Sequence, residues 1–242
     1  MSKSKYDSQR LHYQLTSPLI MAKRVFRSIK MWGFGRTYAK LINRLGLPIP
    51  ASIYFLPKKK DFLLVGCGQF GLTTVSYFIA RNLGNRFLGC FDINKSQANY
   101  AKKTYGYKYV TSSFKELIEL EHAKHILIAS NHSSHTPQAI QALNNGLKVH
   151  VEKPISVSWK QLSELSVAVE GREENFYVGY NRPFAKAIHI LRESLKNQEG
   201  PFTIQYFIAG HLISGDHWYF DPNEGTRICG NLGHWIDLTV HL

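Results

Sequence analysis

From residue 61 onward the chain alternates two hydrophobic periods. Short apolar runs read as strands at 61–68 (DFLLVGCG), 85–92 (NRFLGCFD), 108–113, 124–130 (KHILIAS), 148–152 (KVHVE) and 175–180 (NFYVGY). Between them lie segments whose apolar residues recur every three or four positions, at 72–84, 95–105, 114–122, 135–146 and 159–171. Strand–helix alternation of this kind predicts an α/β fold, a doubly wound parallel sheet with helices on both faces. After residue 180 the rhythm changes. A helix is expected over 184–196, a period-two strand over 202–210 and a helix over 230–242, which would begin an incomplete α+β substrate domain.

The first 60 residues follow a different pattern. Leu19, Ala22, Phe26, Ile29 and Trp32 fall at helical steps, while Lys23, Arg24, Arg27 and Lys30 occupy much of the remaining surface. The segment 18–32 therefore reads as a basic amphipathic helix, followed by a shorter helix at 36–45. Residues 1–60 hold thirteen Lys and Arg against one acid, Asp7, so nearly all of the +13 net charge resides there. The remainder is close to neutral, which removes the general argument from basicity to a nucleic-acid partner. Two readings of the arm stay open: packing on its own protein or a twin subunit, and attachment to an anionic membrane surface or an acidic protein partner through residues 18–45. The expected organisation is thus an extension at 1–60, a nucleotide-binding domain at 61–180 and a substrate domain starting at 181.

Three scattered cysteines without a CxxC pair, and no apolar run long enough to span a bilayer, fit a reducing, cytoplasmic setting, with a position peripheral to the inner membrane face as a variant.

Chemistry enters at the end of the first strand. Gly66-Cys67-Gly68-Gln69-Phe70-Gly71 is GxGxxG between a strand and a helix, the arrangement that lets a pyrophosphate approach backbone N–H groups at a helix N-terminus. Asp92 closes the second strand, where a carboxylate accepts both ribose hydroxyls and repels a 2′-phosphate. NAD is therefore expected over NADP, with Lys95 nearby tempering the preference. An S-adenosylmethionine site shares a Gly-rich turn and a second-strand acid, so a methyltransferase remains an alternative.

Taken together, the GxGxxG turn, Asp92, Glu152-Lys153-Pro154, VGYNRPF at 178–184 and GNLGHWIDL at 230–238 resemble the Gfo/Idh/MocA oxidoreductases. The resemblance spans residues 61–242 and implies hydride transfer between NAD(P) and a carbon of a sugar, cyclitol or nucleotide sugar. It makes Lys153 and His234 the catalytic pair. Lys153 would polarise the substrate oxygen from the carboxyl end of a strand, and His234 would move the proton.

The resemblance also places Ser130, Asn131, His135 and Glu152 beside the cofactor with Gly66, Gly68, Gln69, Phe70, Gly71 and Asp92. Tyr180, Asn181, Arg182, Asn231 and Asp237 fall on the substrate side. Where relatives carry a carboxylate four residues before the histidine, this chain has Gly230. A catalytically weak nucleotide-binding or scaffold protein is accordingly the second alternative. His132 and His135 lack a third ligand of sensible spacing, so no metal is expected. His211, His217, Trp218 and Tyr219 would line a sugar site, a family-length substrate domain would run on past Leu242, and a full-length chain would form a homo-oligomer.

Overall fold

The computed structural model describes residues 18–47, 57–209, 213 and 217–242. Six parallel strands form one sheet: β1 (Pro57–Val65), β2 (Asn85–Phe91), β3 (Tyr109–Val110), β4 (His125–Ile128), β5 (Lys148–Val151) and β6 (Phe176–Val178). Their order is β3-β2-β1-β4-β5-β6, with every adjacent pair parallel. This is the Rossmann order, in which the sheet winds outward in both directions from β1 and opens a crevice between the carboxyl ends of β1 and β4.

The uninterrupted apolar run in β1 has a direct cause. Phe62 and Leu64 pack with Leu72, Tyr77, Phe87, Tyr105 and Tyr107 on one face. Leu63 and Val65 point to the other face, among Leu88, Ile126, Ile128, Ala139, Val149 and Leu165. Helices cover both faces, so neither parity of a central strand can be polar.

Two helices, α1 (Pro18–Trp32) and α2 (Phe34–Leu45), precede the sheet as a hairpin. The crossovers are a π-helical turn (Gly71–Ser76) running into α3 (Tyr77–Leu83), then α4 (Lys95–Tyr105), α5 (Phe114–Ile118), α6 (His132–Asn144) and α7 (Trp159–Val169). After β6 come α8 (Lys186–Leu195), short helical turns at Trp218–Phe220 and Pro222–Glu224, a π-helical turn (Ile228–Leu232) and α9 (Gly233–Val240).

One expected element is corrected. Residues 202–209 are described but form no strand. Their period-two pattern is real: Ile204 and Tyr206 are half-buried, and Tyr206 meets the Trp235 ring at 5.2 Å and the Thr239 hydroxyl at 3.2 Å. A strand also needs a ladder partner, and the six-stranded sheet ends at β6. Residue 210, and His211 of the expected sugar-facing cluster, lie outside the described residues.

Candidate functional site

The glycine turn is shaped by what surrounds it. Gly66 leaves β1 with φ +83°, and a Cβ there would stand 2.3 Å from the Ala129 carbonyl oxygen at the end of β4. A Cβ on Gly71 would stand 2.2 Å from the Gly66 oxygen. Both clashes are with backbone, so the first and third glycines are required by the fold itself. Gly68 differs, because a Cβ there meets nothing within 4 Å. Its outer side is an open cradle at the start of a helix, where N–H groups face outward and the dipole favours an anion.

The start of that helix is widened into a π turn, held by Ser76 Oγ donating to the Gly71 carbonyl at 2.9 Å and by Tyr105 Oη donating to the Leu72 carbonyl at 2.7 Å. Such widening recurs at functional sites.

Asp92 ends the strand beside this turn. Its Oδ2 accepts the Cys67 N–H at 2.8 Å and its Oδ1 the Asn94 N–H at 2.7 Å. The carboxylate is thereby fixed against the glycine turn. Each oxygen keeps a further lone pair, so the residues present fit a ribose with two free hydroxyls.

The other end of the crevice lies where β4 and β5 stop. The Lys153–Pro154 peptide is cis. His135, expected beside the cofactor, is instead 1% exposed behind it. Its Nδ1 lies 2.8 Å from the Pro154 carbonyl and its Nε2 3.2 Å from the Ser130 carbonyl, so the one N–H of the neutral ring donates to one of these two strand exits. Thr136 Oγ1 adds a bond to the Ile155 carbonyl at 2.7 Å. Lys153 emerges from this clamp and donates to the Gly230 carbonyl at 2.9 Å, with Tyr219 Oη at 3.5 Å. Burial pushes the Glu152 carboxyl up to about 7, against the pull of the Lys153 ammonium.

A second wall comes from residues 217–240. His234 is buried edge-on to Tyr180, ring centroids 5.6 Å apart, and its Nδ1 has no hydrogen-bond partner. Burial, then the charges of Arg182 and Lys153, hold its pKa down at about 4, so the ring is neutral at pH 7. Asp237 Oδ2 is likewise buried without a partner, and burial raises that carboxyl. Arg182 lies over the Trp235 ring at 4.4 Å.

Thus Lys153, Tyr180, Arg182 and His234 are brought together. Asn181 is exposed on the turn before Arg182, and Asn231 sits half-buried in the π turn beside Gly230.

The contact that sequence reasoning missed is Glu224. Its carboxylate accepts from Asn131 Nδ2 at 2.8 Å and from Ser133 N and Oγ at 3.0 Å each, capping the N-terminus of α6. His132 Nδ1 reaches the Glu224 carbonyl at 3.0 Å and meets Trp218 edge-on at 4.7 Å. Burial lowers the His132 pKa to about 4. Asn131 therefore holds the second wall. The available signal was the turn sequence Asp221-Pro222-Asn223-Glu224-Gly225, which fixes a tight bend without saying what it docks on.

Residues 60–180 match the oxidoreductase family with the NAD-binding Rossmann fold, half of the chain. The chain belongs to the Gfo/Idh/MocA family. Among its Gfo/Idh/MocA relatives, glucose-6-phosphate 3-dehydrogenase of Bacillus subtilis is 30% identical over 160 residues, covering 64% of this chain and 44% of that protein. The uncharacterized oxidoreductase YrbE of the same organism is 25% identical over 178 residues, 74% of this chain and 50% of that one.

Among solved structures, an NAD-binding protein from Listeria innocua superposes with a TM-score of 0.58 at 21% identity, covering 76% of this chain and 54% of that one. The WlbA dehydrogenase of Chromobactrium violaceum, in complex with NADH and UDP-GlcNAcA, gives 0.52 at 19% identity, 61% and 42% covered. The Gfo/Idh/MocA chain described here spans about half the length of the curated relatives it matches, or less.

Proposed function

We propose that this chain carries the NAD site and the reacting pair of a dehydrogenase acting on a hydroxyl-bearing carbon of a sugar, sugar phosphate or nucleotide sugar. The observation that carries the reading is a neutral, buried His234 whose Nδ1 lacks a partner, within reach of the Lys153 charge. A polar atom buried without a partner costs about 1–3 kcal/mol, a penalty that a substrate hydroxyl would relieve. Bound NAD would supply the hydride acceptor, held by Gly68, Gln69, Phe70 and Asp92 at one end and by Ser130, Asn131 and Glu152 at the other.

The chain's own residues supply the rest. The Lys153 ammonium can exchange its bond to the Gly230 carbonyl for one to the substrate oxygen and stabilise the negative charge that develops there. His234, neutral at physiological pH, accepts the hydroxyl proton, and burial, with the Arg182 and Lys153 charges, keeps it from holding that proton strongly. Tyr180 and Arg182 fix the ring and the approach of the substrate. Asp92 supports NAD over NADP, because a 2′-phosphate would face a carboxylate already fixed by two backbone bonds. The names of the relatives support the carbohydrate class.

The test is turnover of a panel of sugars, sugar phosphates and nucleotide sugars with NAD and NADP, followed by NADH formation. Lys153→Met should lower kcat by about a hundredfold or more while leaving NAD affinity within about threefold. Turnover unaffected by Lys153→Met would end the assignment. NAD binding without turnover of any of these substrates would favour a nucleotide-binding scaffold.

A further inference from the structure

We propose that α1 is a docking helix for an anionic lipid surface. The hairpin divides its labour. Helix α2 is fastened to the Rossmann fold: Thr37, Ala39 and Ile42 are buried, Gly35 lies against the Tyr77 hydroxyl so closely that a Cβ would stand 2.6 Å away, and Tyr100 Oη donates to the Leu47 carbonyl at 3.2 Å. Helix α1 buries no residue. It is held to α2 by the Ser28–Thr37 hydroxyl pair at 3.0 Å and by the Gly33 turn, and apart from the half-buried Ser28 and Ile29 its residues are exposed.

That surface has the composition of an interfacial helix. Leu19 is 66% and Phe26 73% exposed, with Met21 and Trp32 also exposed; around the helix they span an arc that adjoins the arc of Lys23, Arg24, Arg27 and Lys30, with Leu19 and Phe26 at the border beside Lys23 and Lys30. Neither helix contains an acid, and α2 adds Arg36, Lys40 and Arg44. Trp32 lies under the Arg36 guanidinium at 4.4 Å and the Lys40 ammonium at 5.7 Å, so an aromatic ring meets cations at one end of the helix, the pairing suited to a headgroup boundary.

Charge decides between possible occupants. The hairpin carries seven bases and no acid beside an exposed apolar arc, a charge that calls for an extended anionic surface. A bilayer with anionic headgroups answers both at once, taking the apolar side into the acyl boundary and the bases against phosphates. Among the described residues no helix is long and apolar enough to cross a membrane, so contact through α1 would be peripheral.

The experiment is co-sedimentation of the full chain with phosphatidylcholine vesicles, alone or with about a third phosphatidylserine. Binding is expected only to the anionic vesicles and should fall at least about tenfold between low and high salt. The variant K23E/R24E/R27E/K30E should lose at least about a hundredfold in partition. Phe26→Ser should weaken binding even at low salt, where charge attraction alone would persist. Because α1 buries nothing, both variants should keep the parent's thermal transition and NAD affinity, which shows that the body of the protein is intact.

Failure of the parent chain to bind anionic vesicles overturns the proposal. Equal binding to neutral vesicles does so too, as does retention of a polyanion such as heparin without vesicle binding. These outcomes are independent of whether Lys153 is catalytic.

Discussion

At the scale of single residues, Glu152 and His234 titrate in opposite senses. Burial raises the Glu152 pKa to about 7, so the folded protein holds that proton more tightly than the unfolded chain. The associated stability is present at low pH and is lost as pH rises from the unfolded value through about 7. Glu152→Gln should therefore stabilise the protein at pH 8 by on the order of 2 kcal/mol, allowing for partial solvent contact, and by almost nothing near pH 4. Urea denaturation of both proteins at stepped pH measures the difference.

The pKa of His234 is depressed instead, second to burial by Arg182. Arg182→Gln should raise it, seen as an upward shift in the NMR titration of its ring protons. No shift would mean that the guanidinium does not face the imidazole.

At the scale of elements, α6 shows how the two walls depend on each other. Glu224 caps its N-terminus from a position 91 residues beyond Ser133. Glu224→Ala should cost about 1–2 kcal/mol. It should also speed hydrogen exchange at the Ser133 amide and around Trp218, leaving β1 and β4 protected.

This dependence marks the limit of what could be read in sequence. Strand and helix alternation was legible because each element carries its own period, and so was the GxGxxG turn with Asp92. Helix α6 begins at His132, one turn before the expected start at 135, because its cap comes from Glu224, outside the local window. The π turn at Gly71–Ser76 arises from side-chain bonds to Tyr105 and Tyr107, and no local pattern announces those. At 202–209 the period-two signal was correct and the element was not, because a strand is a property of two segments. The place of Lys153 at a strand exit was legible, but its hydrogen-bond partner, the Gly230 carbonyl, was not, since every residue has a carbonyl.

At the scale of the whole molecule, order is unevenly distributed. The Rossmann core is buried on both faces of its sheet, whereas after Pro183 the buried residues are Gly230, His234 and Leu238 among those described. Phe207 is 90% and Val240 81% exposed, and uncovered apolar surface of this kind drives association. Sedimentation velocity should show concentration-dependent self-association of the 242-residue chain, reduced by Phe207→Ser with Val240→Ser. A monomer at every concentration would contradict this.

Acid should act on the whole fold as well. His132 and His234 are depressed to about 4, so the stability they allow is complete above the unfolded value of about 6.5 and is lost as pH falls toward 4. His132→Gln should flatten that acid slope.

The open side of Gly68 has a practical corollary. Its two companions in the turn cannot change without moving backbone, so their replacement would confuse misfolding with lost binding. Gly68→Ala adds one methyl where only a ligand would meet it. The variant should melt with the parent yet bind NADH at least about tenfold more weakly. Introduced in place of the natural gene, such an allele would reveal which cellular roles require the bound nucleotide and which need only the folded protein to be present.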